Sequence, residues 1–219
     1  MLHNGRYFVN QKYNDRYMNG CTQMSDRDPK GRKKQETRAL VLEAAERGFK
    51  QHGYAGVGVD GIAREAGVTS GAFYAHFGSK TGAFQKALEA GLDATLARLP
   101  EFREEHGANW PAAFADYYLG SAHRADLACG CAMAALSGEV MRGTDENRAT
   151  YRERMGRIAG IVAAGLEGER DAEARAWGFL SILIGGLTVI RAMPDGPQAD
   201  AVAGNVRQMA LAVAGPARP

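Results

Sequence analysis

The sequence predicts an all-α protein. Apolar residues recur at helical spacing in one segment after another, and glycine and proline fall where those segments should end. After residue 80 we find no convincing strand pattern. Hydrophobic residues make up 45% of the 219 positions and charged residues 24%, close to the averages of globular proteins. The chain is therefore long enough and apolar enough to fold around a substantial core.

The first clear helix is expected from about Gln35 to His52. Its apolar stripe consists of Leu40, Val41, Ala44, Ala45 and Phe49. Gly53 follows, where a helix commonly ends in a left-handed residue. Residues 1–34 are polar without sustained periodicity and are predicted to form a flexible basic tail. The run Lys30–Lys34 suits either an arm that binds DNA phosphates or the minor groove, or a solvated tail, and both interpretations stay open.

Segment 59–80 is predicted to form two short helices joined by a tight turn. The first helix has a small apolar face made of Ile62, Ala63 and Ala66. Gly67 stands where a left-handed residue would end that helix, and Thr69 is suited to cap the next one, residues 70–77. A helix, a turn with glycine and a second helix is the layout of a DNA-reading helix-turn-helix.

Charge is divided unevenly along the chain. The first 80 residues hold thirteen Lys and Arg against eight Asp and Glu, a net charge of +5, and the remaining fourteen basic and seventeen acidic residues give −3. A basic first third beside a helix-turn-helix favours a polyanion-binding region over a membrane-binding surface. The alternative is a tail that is charged only for solubility.

Nucleotide-binding and catalytic motifs lack their required context. Gly56–Gly61 matches G-x-G-x-x-G, but a helix precedes it instead of a strand, and Gly78–Thr81 lacks the Gly-Lys pair of a phosphate loop. The five histidines form no H-E-x-x-H, and no serine lies in a G-x-S-x-G elbow. A helical enzyme is thus an alternative without a nucleophile–base set or metal-ligand spacing. We expect no enzyme activity, cofactor or metal.

Three motifs at fixed spacing resemble one known family. They are F-x-x-x-G-Y at residues 49–54, I-A-x-x-A-G-V at residues 62–68, and F-Y-x-H-F-x-S-K at residues 73–80. Together, over roughly residues 35–85, they resemble the DNA-binding domain of TetR-type (TetR/AcrR) transcriptional regulators.

This resemblance implies a domain organisation. Residues 35–80 would form a three-helix DNA-binding head, and residues 81–214 an all-helical body that binds a ligand and dimerises. A tail at residues 215–219 would follow. We use "head" and "body" for these two ranges below.

The resemblance also implies roles in DNA binding. The helix from Thr69 to Phe77 would enter the major groove. Its small residues would allow close approach, its N-terminal hydroxyls would bond to bases or phosphates, and Lys80 would add charge at the next helix N-terminus. The implied DNA-binding residues are Thr69, Ser70, Gly71, Ala72, Tyr74, His76 and Lys80. Phe73 and Phe77 are expected in the core.

The first motif helix departs from the family pattern. Gly58 stands where Thr or Ser often caps that helix, and Asp60 and Gly61 follow in place of basic or polar residues. Because an acid near phosphate is unfavourable, Asp60 is expected to point away from DNA or to favour a helix N-terminus. With Gly71 and Ala72 on the reading helix, few side chains are left to select bases.

The body is expected to contain further helices. The first should run from Ser79 to Leu99 and end at Pro100, with residues 101–109 as a polar connection. The others are expected to open at 109–111 and to span about residues 129–141, 145–166, 171–193 and 199–214. The last two are rich in small and apolar residues. In the resembled family such helices pair across a two-fold axis, which suits a palindromic operator.

An apolar pocket is expected between the body helices, where bundles commonly bind small ligands. A small apolar or aromatic effector would suit it. The alternative for each residue is an ordinary core position. The candidate lining residues are Trp110, Phe114, Tyr117, Tyr118, Met133, Met141, Trp177 and Phe179.

Three cysteines, Cys21, Cys129 and Cys131, form no even framework, which argues against a disulfide-stapled secreted domain. The first ten residues contain no apolar signal core, and the apolar run between Arg175 and Arg191 is short for a membrane span, so a cytoplasmic location is expected. On one helix, Cys129 and Cys131 would face different sides. They are interpreted either as inert buried thiols or as sensors of oxidants or electrophiles.

The function predicted from these observations is that of a homodimeric repressor that binds a palindromic operator and is released by a small molecule. A redox- or electrophile-sensing regulator acting through Cys129 or Cys131 is the alternative, and an activator would use the same head.

Overall fold

The computed structural model describes residues 29–128, 130–166, 168 and 171–215. These residues form α-helices and one short 3₁₀ turn, and no strand occurs among them, so the predicted all-α class is confirmed. The chain divides into two compact units, Met1–Ala39 and Leu40–Pro219. In the first unit the described residues are helical. The domain boundaries expected at residues 34 and 80 remain predictions.

The helices of the described residues follow one another through short connections. In chain order they are α1 (Pro29–Gly56), α2 (Val59–Glu65), α3 (Ser70–Phe77), α4 (Lys80–His106), the 3₁₀ turn Gly107–Asn109, α5 (Trp110–Leu119), α6 (Ser121–Ala125), α7 (Ala132–Ala135), α8 (Ser137–Arg142), α9 (Asp145–Ala163), α10 (Ala172–Arg191) and α11 (Pro197–Ala214).

Helix α1 starts earlier than the sequence analysis expected. It begins at Pro29 instead of near Gln35, so the end of the predicted flexible tail is helical. Proline suits a first helical position because its missing N–H would be unpaired there anyway. Near the other end Gly53 interrupts the helix with φ 72° and ψ 172°, a positive-φ conformation that glycine adopts readily but that lies outside the left-handed helical region expected for a stop. Residues 1–28 of the predicted tail lie outside the described residues.

Pro100 does not end α4, and the predicted stop there was wrong. The helix continues to His106, where Gly107 ends it with a positive φ of 53°. An internal proline costs about 3 kcal/mol. Burial of Leu99 and Phe102 on both sides of Pro100 offsets that cost. Arg103 adds a tie, because its guanidinium donates to the carbonyls at the C-terminal end of α9.

The segment expected as one helix from Cys129 to Met141 is broken. Cys131 is extended, with φ −63° and ψ 129°, and two short helices, α7 and α8, follow it. Because Cys131 is extended, the expectation that both cysteines lie on one helix is wrong. Cys129 itself lies outside the described residues. A Cβ at Gly130 would lie 2.7 Å from both the Arg191 guanidinium and the Asp126 carbonyl, so this close approach requires glycine.

Arg191 holds this irregular region in place. Its guanidinium donates to the backbone carbonyls of His123, Arg124 and Asp126 at 2.7–3.2 Å. These groups belong to α6 and its end, a short helix that the sequence analysis did not predict. The arginine comes from the end of α10, far away in sequence. A contact between residues so far apart in the chain leaves no pattern in the local sequence from which it could be predicted.

The core of the body is built by α4, α5, α9, α10 and α11. Its apolar side chains come from successive turns of each helix, including Leu88, Leu92, Leu96, Ile158, Val162, Leu183 and Leu187. Between α4 and α9 one polar link is buried: Asn147 Nδ2 donates to Gln85 Oε1 at 2.5 Å, and Gln85 Nε2 donates to Thr150 Oγ1 at 2.7 Å. Because each amide has its partner, this link costs little and fixes the register of the two helices.

Helix α10 is long and apolar enough to cross a membrane by length and composition, and it is the one such helix among the described residues. Its most apolar window is 33% buried. The same composition suits a bundle helix, and α10 packs against α11 at close range: a Cβ at Gly178 would lie 2.8 Å from Val213 Cγ1. Ion pairs of Arg124 with Asp200 and of Arg207 with Asp116 tie α11 to α5 and α6.

His123 gives the body a specific acid sensitivity. The buried ring contacts the Tyr118 carbonyl through Nδ1 at 2.6 Å and accepts from the Cys131 N–H through Nε2 at 3.3 Å. This pattern assigns the proton of the neutral ring to Nδ1. Burial lowers the pKa of His123 below 6.5, against a weaker raising effect of the Tyr118 carbonyl. The folded protein therefore favours the neutral ring.

We predict that stability falls as the pH drops below the ordinary histidine pKa. The unfolded chain binds a proton at about pH 6.5, while folded His123 stays neutral to lower pH, so acid favours unfolding in that interval. Urea unfolding at about pH 7.5 and about pH 5.5 measures the loss. His123→Gln should reduce the pH dependence, and His52→Gln, at an exposed histidine, should leave it unchanged. Equal pH dependence in wild type and His123→Gln would contradict this account.

Candidate functional site

Helices α2 and α3 form the predicted helix-turn-helix. Gly67 has φ 69°, and Thr69 caps α3 by accepting the Ala72 N–H at 3.2 Å. The backbone closes the turn through the Val68 N–H, which donates to the Ala63 carbonyl at 2.9 Å. The two caps assigned from sequence are therefore confirmed, and they set the angle between the helices.

One face of α3 anchors it in the core. Phe73 and Phe77 are buried, with ring centroids 5.7 Å apart, as expected from the sequence. Ile62 of α2 is fully buried in the same core cluster. Burial of each aromatic side chain contributes roughly 1.5–3 kcal/mol. The opposite face of α3 is therefore held outward by packing.

The outward face carries the residues predicted to contact DNA. Tyr74 is 52% exposed, Thr69 and Gly71 are exposed, and His76 is half-buried. Nothing within 4 Å apart from the Thr69 hydroxyl would meet a Cβ at Gly71, so this side of the helix is open. The open surface at the N-terminal turn of α3 can approach another molecule closely.

Asp60 ties α2 to the start of α3. Its carboxylate accepts a hydrogen bond of 2.6 Å from the Ser70 hydroxyl. This places the acid at the N-terminal end of α3, where the helix dipole favours negative charge. Ser70 is thus engaged within the protein, and its hydroxyl keeps only acceptor capacity for a ligand.

Lys80 is positioned by a tyrosine that the sequence analysis had not assigned a role. Its Nζ lies 4.5 Å from the centroid of the Tyr54 ring, a cation–π contact, and the Tyr54 hydroxyl lies 2.9 Å from Thr81 Oγ1. Ser79 caps α4 by accepting the Gly82 N–H at 2.9 Å. Tyr54 belongs to the F-x-x-x-G-Y motif, which is the signal that could have indicated this support.

The candidate pocket residues are only partly brought together. Trp110, Phe114, Tyr118, Met133 and Phe179 are buried in one core, and Tyr117 packs against it. Met141 is 70% exposed and Trp177 is 37% exposed, so the structure places these two at the surface, away from any interior lining. Helical spacing alone had not shown which side of α8 and α10 faces the core.

Aromatic rings fill the space where these residues meet. Phe114 lies 5.6 Å from Tyr118 and 6.3 Å from Phe179 between ring centroids, and Trp110 lies 6.0 Å from Phe179. A cavity of about 400 Å³ lies elsewhere, between the start of α5 and the C-terminal ends of α9 and α11. It is lined by Ala108, Asn109, Pro111, Ala112, Gly165, Leu166, Leu211, Ala212, Ala214 and Gly215, none of them a predicted pocket residue.

A polar group of side chains adjoins this aromatic core. We call it the thiol cluster: Thr95, Tyr118, His123, Cys131 and Tyr151. Thr95 Oγ1 lies 3.9 Å from Cys131 Sγ, and the Tyr118 and His123 rings are 4.9 Å apart. Burial, and then the nearby thiol, raise the pKa of Tyr118 well above 10 and that of Tyr151 to about 12. Tyr118 and Cys131 were candidates from the sequence. The other three were not: Thr95 and Tyr151 come from the distant helices α4 and α9, and His123 lies on the short helix α6 that was not predicted.

Among the described residues, no group of three or more His, Cys, Asp or Glu side chains is arranged to hold a metal ion.

Sequence comparison supports the assignment of the head. Residues 41–87 match the family described as "Bacterial regulatory proteins, tetR family". Over 74 residues the chain is 46% identical to the HTH-type transcriptional regulator TtgR of Pseudomonas putida. That match covers 32% of this chain and 35% of TtgR, so it spans about a third of the relative's length.

Solved structures extend the likeness in fold to most of the chain. A TetR-family transcriptional regulator from Cytophaga hutchinsonii superposes with a TM-score of 0.70 at 15% identity, covering 86% of this chain and 96% of that one. The regulator FadR from Bacillus subtilis, in complex with stearoyl-CoA, gives 0.62 at 17% identity, covering 78% and 96%. At these identities the likeness shows the fold. Residues 41–87 therefore match the TetR family of bacterial regulatory proteins, and the described helices share the fold of solved structures of that family.

Proposed function

We propose that the protein is a homodimeric transcriptional repressor that binds a palindromic operator through α3 and is released by a small molecule. The observation that carries this proposal is the outward face of α3, with exposed Tyr74 and the open Gly71, held by the buried Phe73 and Phe77. No catalytic role is proposed for any residue. Because its target is DNA, we propose a cytoplasmic location.

DNA binding would use two kinds of contact. The small residues at the start of α3 would let its N-terminal turn enter the major groove. Tyr74, His76 and Lys80 would contact phosphates on either side, and such contacts position the protein without selecting sequence. Lys80 suits this role because Tyr54 holds its stem in place and the first turn of α4 adds the helix dipole.

Dimerisation would use α10 and α11. Beyond Glu173 in the first turn, the exposed positions of α10 recur at helical spacing and are small or apolar: Ala174, Trp177, Ser181, Gly185, Thr188 and Val189. On α11, Ala201, Gly204 and Met209 are also exposed. A water-exposed stripe of this kind on an apolar helix favours burial against a second copy, and a two-fold dimer would present two α3 helices to a palindrome.

Release by ligand would depend on the body. A small apolar or aromatic effector would enter between the aromatic side chains around Phe114, which fill their space in this structure. Accommodating it would require the body helices to move. Ligand would thereby favour a spacing of the two α3 helices that does not match the operator. FadR, which shares the fold, binds stearoyl-CoA, and this supports a ligand site in the body of such proteins.

The direct test is footprinting on the DNA that flanks the gene, repeated with candidate ligands. A protected palindrome that a small molecule exposes again is the expected result. Protection that no ligand reverses would contradict the proposed release, and no sequence-specific protection at all would contradict the repressor.

Lys80→Ala should weaken operator binding by about tenfold and reduce the slope of log K against log salt by about 1, because one phosphate contact is lost. Lys86→Ala is the matched control, since that lysine lies on the same helix and is paired with Glu89 at 2.8 Å. Fluorescence anisotropy at several salt concentrations measures both quantities. An unchanged salt slope for Lys80→Ala would refute its phosphate contact.

Met209→Asp should convert the dimer into a monomer, because burying an unpaired carboxylate in the interface costs on the order of a few kcal/mol. Met209 is 58% exposed on α11. Met141→Asp, at a still more exposed methionine of α8, is the control and should stay dimeric. Light scattering after gel filtration at one protein concentration reads the mass. A dimeric Met209→Asp protein would place the interface elsewhere.

A further inference from the structure

The hydroxyl of Tyr118 is buried without a hydrogen-bonding partner. Its side chain is among the largest fully buried ones, and no group of the described residues, the nearby Cys131 thiol included, meets the geometry of a hydrogen bond with the hydroxyl. Its neighbour is the thiol of Cys131, which is half-buried and free. A buried unpaired hydroxyl costs about 1–3 kcal/mol. An orphan donor beside a reachable thiol is the arrangement expected where a ligand oxygen completes the hydrogen bond.

We propose that Cys131 and Tyr118 form an addition site for small α,β-unsaturated carbonyl compounds, which would act as the effector. This inference rests on the proposed function, since adduct formation would be the signal that releases DNA. Cys131 supplies the nucleophile, and Tyr118 supplies the donor for the carbonyl oxygen.

The addition balances without another reactant. The Cys131 thiol loses its proton to solvent, its sulfur forms a bond to the β-carbon, and the electrons of the C=C bond move to the carbonyl oxygen to give an enolate. The Tyr118 hydroxyl donates to that oxygen as charge develops on it. A solvent proton then returns to the α-carbon, so the net change is addition of S–H across C=C.

Two arginines lie beside the proposed addition site. The guanidinium of Arg191 is fixed by three carbonyls and is close enough to Tyr118 and Cys131 to interact with both. Arg98 lies 5.0 Å from the Tyr117 ring centroid on the same side of the body. The thiolate is the reactive form of cysteine. Asp126 is the acidic neighbour of this group.

A hydrogen bond fixes the backbone of Cys131, the proposed nucleophile. Its N–H donates to His123 Nε2 at 3.3 Å, and the His123 ring is itself fixed by the Tyr118 carbonyl. The residue is extended and stands just before α7. Modification of Cys131 would therefore disturb the packing between α4, α7 and α10, through its neighbours Thr95 and Arg191. His123 is a positioning residue in this scheme.

The test follows adduct formation by intact-protein mass spectrometry. The full chain carries Cys21→Ser and Cys129→Ser, so that Cys131 is the single thiol, and the probe is 2-cyclohexen-1-one. We expect one adduct per chain, absent after the further change Cys131→Ser. Tyr118→Phe should slow the reaction by at least about tenfold, because the enolate loses its donor.

Two controls distinguish loss of the hydrogen bond donated by Tyr118 from a change in the access of reagents to Cys131. Iodoacetamide alkylates the same thiol without forming an enolate, so Tyr118→Phe should leave its rate within about twofold. Tyr151→Phe removes a nearby hydroxyl that already donates to the Met133 carbonyl, and it should not slow the enone. Tyr118→Phe should fold, because it removes only an unpaired buried hydroxyl. Unchanged enone kinetics in Tyr118→Phe, or equal slowing of both reagents, would overturn the proposal.

Measurements of operator binding then test whether adduct formation at Cys131 releases DNA. Unmodified protein should bind the operator and the adduct should lose it, whereas Cys131→Ser should bind with and without enone. If the adduct forms but the modified protein still binds the operator, Cys131 is not an effector site. The inference then fails, and the proposed repressor function is unaffected. If unmodified protein binds no operator, the proposed function fails, and the adduct kinetics, measured without DNA, still decide the chemistry.

Discussion

The packing of Phe49, Tyr54 and Phe84 is the contact on which the rest of the head depends. Their ring centroids lie 5.3–5.9 Å apart, with Phe84 edge-on to the other two. The cluster joins the C-terminal part of α1 to the first turns of α4. Since Tyr54 also contacts Lys80, the same cluster that fixes the helices positions a side chain of the proposed DNA-binding surface. Core packing and the candidate interface therefore share one residue.

Head and body also approach each other at Gly53. A Cβ there would lie 2.8 Å from Glu139 Oε1 of α8, and Gly53 has the positive φ that only glycine adopts without strain. Helix α8 follows directly on α7 and Cys131. In the proposed scheme, a change at the thiol cluster would reach the turn before α2 through α7, α8 and the Glu139 side chain.

Two sets of buried polar side chains in the body differ in how well their hydrogen bonds are satisfied. Gln85, Asn147 and Thr150 satisfy one another, and such a network mainly fixes helix register. Tyr118, by contrast, has no hydrogen-bonding partner of sound geometry among the described residues, and its hydroxyl lies beside a thiol. Natural proteins retain unpaired buried donors rarely, and each such group calls for an explanation. In the proposed addition site, the oxygen of the bound carbonyl compound would supply that explanation.

The sequence by itself determined the helix-turn-helix, because its signals are local. A left-handed glycine at position 67, a hydroxyl cap at Thr69 and apolar residues at helical spacing act within one or two turns. The resemblance to the family rested on the same segment. Tertiary structure alone decided that α4 passes through Pro100, that Cys131 is extended, and that Met141 and Trp177 face outward. Those outcomes depend on burial and on partners such as Arg191, tens of residues away in the chain, and no local pattern records them.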